Sequence, residues 1–185
     1  MWILLLLASF IALPAVAEPV SRVDVVVINL PRWNARAISR STAQAARLFH
    51  GTAIRLDWST QTTPKLAPPA NSHPRRLIIL LDRRAMARFP SFSRATLGLA
   101  LHDRAYVLVP RIERLAATQG VPASTVLGAV IAHELGHLLL GPGHTPTGIM
   151  RPVCGLAEFD LAGRGQPGFS RFQAHQMQAR LRLFR

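Results

Sequence analysis

The chain has 185 residues, 49% of them apolar, with 12 glycines, 14 prolines and one cysteine, Cys154. That balance excludes a disordered or collagen-like chain, and a lone cysteine excludes an intramolecular disulfide. The formal charge of +13 comes from 22 basic residues, all arginine except Lys65; they are scattered instead of gathered into a motif, so a solvated surface accounts for them and no specific nucleic-acid site is expected.

The first element is the apolar segment Trp2 to Ala17, which ends in Ala15-Val16-Ala17, the small-x-small pattern of a secretory cleavage site. With Pro14 inside it, the segment is short for a membrane helix of about 20 residues. Residues 1–17 therefore read as a signal peptide and 18–185 as a single domain, secreted or periplasmic, with no stable membrane span. No Lys or Arg precedes the apolar run, which keeps an uncleaved N-terminal anchor as the alternative.

Val23 to Leu30 is β-branched and apolar, the composition of a buried strand. Ala35 to His50 carries Ile38, Ala45, Leu48 and Phe49 at helical spacing and reads as a covering helix. Ile54 to Trp58 alternates as a strand, and Ser59 to Pro74, rich in Thr, Pro and Ser, reads as a loop. Leu77 to Leu81 is a second buried strand, followed by a helical turn at Arg83 to Phe89. Ala105 to Val109 is a strand stopped by Pro110, and Ile112 to Gln119 a short helix. Thr125 to Leu140 is an uninterrupted apolar helix whose Gly128, Ala129 and Ala132 predict close packing on the sheet. After a flexible stretch at Gly163 to Gly168, Phe172 to Leu183 forms a terminal helix. Strands alternating with helices give an α/β fold with a mixed, twisted sheet.

The long helix carries the chemistry, in His133-Glu134-Leu135-Gly136-His137. Two histidines four apart on a helix point the same way, about 6 Å apart along the axis, so both reach one tetrahedral metal ion and place the adjacent Glu134 carboxylate beside it. A shuffled chain of this composition would hold the pattern about 0.006 times, so chance does not explain it. A catalytic zinc site needs a third protein ligand. Gly141 can end the helix with positive φ, Pro142 cannot continue it, and Gly143 lets the chain fold back, which brings His144 to the metal. Glu158 is the alternative third ligand.

These residues resemble the metzincin clan of zinc endopeptidases, whose pattern HExxHxxGxxH is followed by a turn containing methionine. His133, Glu134, His137, Gly141, His144 and Met150, within Gly148-Ile149-Met150, have counterparts there. Leu140 stands where the clan places glycine, and Gly141 and His144 each come one residue late. The chain also resembles small secreted bacterial metallopeptidase-like proteins with an apolar run before this turn. A downstream glutamate such as Glu158 completes the site in the thermolysin-like clan, which does not require the glycine turn, His144 or the methionine segment.

The resemblance implies Zn²⁺ as cofactor, peptide or protein substrates, Met150 as a hydrophobic floor and Glu134 as general base. A non-peptidase zinc hydrolase, or a catalytically weak metal-stabilised binding module, are the alternatives, because HExxH specifies an activated water and not the bond it attacks. Some metzincins carry a catalytic tyrosine after the methionine turn; this chain has only Tyr106, on a preceding strand and read as packing. His102 and His175 remain candidate donors to a transition state, whereas His50 and His73 lack ligand spacing. Cys154 reads as a small buried hydrophobe. In the metzincin-like arrangement, Ala105 to Val109 would be the exposed sheet edge to which an extended peptide pairs, with an interior strand as the alternative.

Overall fold

A computed structural model describes residues 20–63, 73–88, 93, 95–153 and 155–183; the expected signal segment and Cys154 lie outside them. The elements run β1 (Ser21–Asn29), α1 (Ala35–Leu48), β2 (Ile54–Gln61), β3 (Arg75–Leu81), α2 (Arg83–Met86), β4 (Gly98–Leu101), β5 (Arg104–Leu108), α3 (Val109–Gln119), α4 (Ala123–Leu140), α5 (Leu156–Asp160) and α6 (Arg171–Arg182). The sheet order is β2-β1-β3-β5-β4. β1, β2, β3 and β5 are parallel, and β4 alone is antiparallel, paired to β5.

β1 is continuous in its apolar character because both its faces are buried. Val23, Val25 and Val27 join the main core with Ile78, Leu80, Val107 and the α4 residues Leu127 and Ile131, while Val26 and Ile28 meet Leu77 on the opposite face. α1 starts where the Asn34 side chain accepts the Ala37 N–H at 2.8 Å, replacing a donor the first turn would leave unpaired. The helix then packs along α4. α4 is buried almost all round and, among the described residues, is the one helix long and apolar enough to cross a membrane. Its burial inside this domain explains that composition without a bilayer.

Several expectations are corrected. β2 continues to Gln61, because its partner β1 supplies backbone pairing as far as Ile28↔Gln61; the loop thus begins after the strand, and residues 64–72 lie outside the described set. β4 was not legible: four residues opening on glycine carry little strand signal, and pairing with β5 creates the strand. β5 is accordingly not an edge but an interior strand, bonded to β3 on one side and β4 on the other. It ends at Leu108, since Pro110 opens α3, where a missing N–H costs nothing. Gly128 serves the contact with α1, not with the sheet: a Cβ there would lie 2.5 Å from the Gln44 Cβ and 2.7 Å from the Ser41 carbonyl oxygen. The stretch 163–168 is tied down, with Gln166 N–H donating to Leu161 and Gly168 N–H to Leu48, both at 2.9 Å.

Gly128→Ala is expected to force α1 and α4 apart and to lower stability by about 1–3 kcal/mol, the usual cost of overpacking. Chemical denaturation of parent and variant measures it.

Candidate metal centre

α4 carries His133 and His137 one turn apart, and their rings stand 4.7 Å apart between centroids. The helix ends at Gly141, with φ 92°, and Gly143, with φ 121°, turns the chain back; only glycine enters this region without strain. The turn brings the His144 ring to 5.4 Å from His133 and 4.9 Å from His137. The ligand nitrogens of all three histidines lie within 4.8 Å of one another, and they are the one such group of metal-ligating side chains among the described residues.

Backbone carbonyls orient two of the rings. His133 Nδ1–H donates to the Ile149 carbonyl at 2.7 Å, and His137 Nδ1–H to the Gly141 carbonyl at 3.3 Å. Since a carbonyl only accepts, each Nδ1 keeps its proton and each Nε2 presents a lone pair. Those two Nε2 atoms face each other at 3.0 Å. Burial pushes the His133 imidazole down to about 4 and also lowers His137, so neither supplies a second proton near neutrality. Two converging lone pairs repel unless a cation sits between them. The spacing is close to the roughly 3.3 Å between two nitrogens bound to one tetrahedral zinc, so the donor set fits such an ion.

Glu134 is 5% exposed and follows His133 on the same helix. Burial pushes its carboxyl up to about 8; a cation nearby would draw it down again. Gly98 makes room for it, as a Cβ there would lie 2.5 Å from Glu134 Oε1. The signal for this contact in the sequence is weak: a lone glycine at the start of a short strand marks close approach of another group only once the strand itself is known.

Met150 is 1% exposed and packs where Gly136 leaves α4 without a side chain; a Cβ at Gly136 would collide with the Met150 sulfur. The methionine turn is fixed by Ile149 N–H to Gly168 O and Thr145 N–H to Met150 O, each at 2.9 Å. Glu158 does not join the histidines. It is buried, with one oxygen on Arg151 Nη1 and the other on the Gly155 N–H, both at 2.8 Å. Burial alone would raise this carboxyl, but the Gly155 N–H and Arg151 outweigh it and hold it below the ordinary value.

The histidines and Glu134 open on a cleft of about 1120 Å³ walled by the 95–100 segment including β4, by α3 and by the 141–144 turn. His102, at the β4–β5 turn with φ 56°, lines the cleft. His50, His73, His175 and Tyr106 do not line it. Three further lining residues, Arg111, Arg114 and Arg180, were read in the sequence only as surface charge.

No protein-family model matches the sequence, and no curated protein is similar to it. Fold and site together define an α/β protein of archaemetzincin-like fold with a three-histidine cluster fit for a metal. The chain is similar to the crystal structure of archaemetzincin from Methanopyrus kandleri, with a TM-score of 0.52 over 89% of this chain and 97% of that one. At 17% identity the likeness establishes the fold alone.

His144→Ala is expected to lose most bound zinc on dialysis, whereas Glu158→Ala keeps it and loses about 1 kcal/mol of stability, because the Gly155 N–H and Arg151 lose their shared buried acceptor. Metal analysis and thermal unfolding of both variants separate the two effects.

In the metal-free protein, Glu134 holds its proton in the fold up to about 8, while the unfolded carboxyl ionises near 4.5. The stability this group contributes is full below 4.5 and is lost as pH rises toward 8. His133 and His137, lowered in the fold, act below 6.5 and in the opposite direction. Between pH 6.5 and 8 the chelated protein should therefore lose thermal stability, and Glu134→Gln should flatten that fall.

Proposed function

We propose that this protein is a zinc-dependent metalloendopeptidase. The observation carrying the reading is the convergence of His133 Nε2 and His137 Nε2 at 3.0 Å, with His144 beside them and Glu134 facing an open cleft. His133, His137 and His144 would hold the ion. Zinc, when bound, supplies a Lewis acid that lowers the pKa of water toward about 7 and polarises the scissile carbonyl. Glu134 accepts the proton of the attacking water and delivers it to the leaving amine. Burial opposes the pull of the cation on this carboxyl, which keeps it able to hold the proton between the two transfers. Met150 and Gly136 keep the floor beneath the histidines dry and closely packed.

Substrate pairing belongs to β4. Among the described residues it stands at the sheet edge with β5 as its one partner, and Gly98 at its start lies against Glu134. An extended peptide adding to this edge by main-chain hydrogen bonds would run past the three histidines. Peptide or protein substrates follow, as does a secreted or periplasmic location, for which Ala15-Val16-Ala17 is the support.

Glu134→Gln keeps fold and metal but removes the proton acceptor, with an expected loss of about 10²–10⁴ in hydrolysis rate. Digestion of denatured proteins and peptide pools, with and without a chelator, checks this. Turnover by the variant at the parental rate would remove Glu134 from the mechanism.

A further inference from the structure

The cleft holds an unbalanced charge. Its walls carry Arg111, Arg114 and Arg180, and the acid among its lining residues is Glu134. Arg111 is occupied: its Nη1 donates to the carbonyls of Ser93 and Thr96, at 2.6 Å for the latter, and so pins the segment that leads into β4. Arg114, on α3, and Arg180, on α6, have no ion pair or side-chain hydrogen bond among the described residues. Arg180 is nonetheless placed. Its guanidinium lies against the metal-side turn, where a Cβ on Gly141 would come within 2.8 Å of Nη1.

Free cations beside a site fit for a dication repel that charge and one another. They are tolerable where an anion enters, and in a cleft the field is concentrated on whatever enters it. Guanidinium groups match carboxylates by bidentate hydrogen bonds, a geometry that water or a neutral amide does not reproduce. We propose that the cleft selects peptides through a carboxylate close to the scissile bond, bound by Arg180 on the histidine-turn side and Arg114 on the α3 side. The carboxylate belongs either to an Asp or Glu side chain or to the peptide's own C-terminus. This rests on the reading of the cleft as a peptide site and names what that site prefers.

The test uses zinc-loaded Glu134→Gln protein, so that binding is read without turnover, and short peptides of one apolar frame carrying an uncharged fluorophore. One has an internal Glu and an amidated C-terminus, one is neutral with a free C-terminus, and one is neutral and amidated. By fluorescence anisotropy a carboxylate peptide should bind about 10-fold tighter than the neutral one, the scale of a hydrogen bond to a charged group. High salt should narrow that gap. Which carboxylate peptide gains identifies its source. Arg180→Gln and Arg114→Gln should each reduce the advantage with zinc content unchanged; Arg114 is exposed on α3, so its variant holds the test even if Arg180→Gln unfolds. Equal binding of all three peptides, or an advantage unchanged in the folded variants, overturns the proposal. Cleavage by the parent without acidic preference overturns it while leaving the peptidase reading intact. Acidic preference without cleavage of any peptide does the reverse.

Discussion

Two imidazole nitrogens that face each other at 3.0 Å with no proton between them set the terms for the rest of this molecule. Each ring is locked by a backbone carbonyl, His133 by Ile149 and His137 by Gly141, so neither can rotate away without abandoning a hydrogen bond. The two carbonyls lie beyond the end of α4, one in the glycine turn and one in the methionine turn. The chain after the helix is thus as much a part of the site as the helix itself. The methionine turn is itself fastened by the backbone bond from Ile149 to Gly168 and by the bond from Gly168 to Leu48 at the end of α1. A segment far downstream and a helix far upstream fix the angle of the His133 ring.

Close packing does the rest. α4 approaches α1 at Gly128, the methionine turn at Gly136 and, through Glu134, the start of β4 at Gly98. At each contact the missing Cβ lets another group occupy space a side chain would fill. The arrangement brings an acid to a buried, apolar position next to three histidines, and burial accounts for its raised proton affinity. The same burial keeps His133 and His137 neutral, the form in which an imidazole binds a metal. One physical cause, desolvation, prepares both the base and its neighbours.

Charge is distributed unevenly in the cleft. Inside, one carboxyl sits among imidazole rings; along the walls, arginines from α3 and α6 stand with no acidic partner among the described residues. Glu158, by contrast, is fully occupied with Arg151 and the Gly155 N–H, and its work is to close the short helix α5 behind the methionine turn. An acid and an arginine in the same 151–158 segment thus support the architecture, while arginines distant in sequence meet in the cleft.

The histidine cluster was legible because its chemistry is local: four-residue spacing on a helix and a glycine turn act over a dozen residues, and apolar runs together with helical spacing placed β1, α1, β3 and α4. The four-residue strand β4 was not legible, because Gly98-Leu99-Ala100-Leu101 is strand only by virtue of β5 beside it. That one omission exchanged an interior strand for an edge. Nor could the sequence distinguish Gly128's role against α1 from packing on the sheet, or separate Arg114 and Arg180 from the other scattered arginines. By itself the sequence determined the donor set and the helix that carries it, since those depend on covalent spacing. The tertiary structure alone decided which strand is free, that Glu158 stays apart from the histidines and which arginines enter the cleft, because pairing, burial and charge proximity are set by chain segments that meet only after folding.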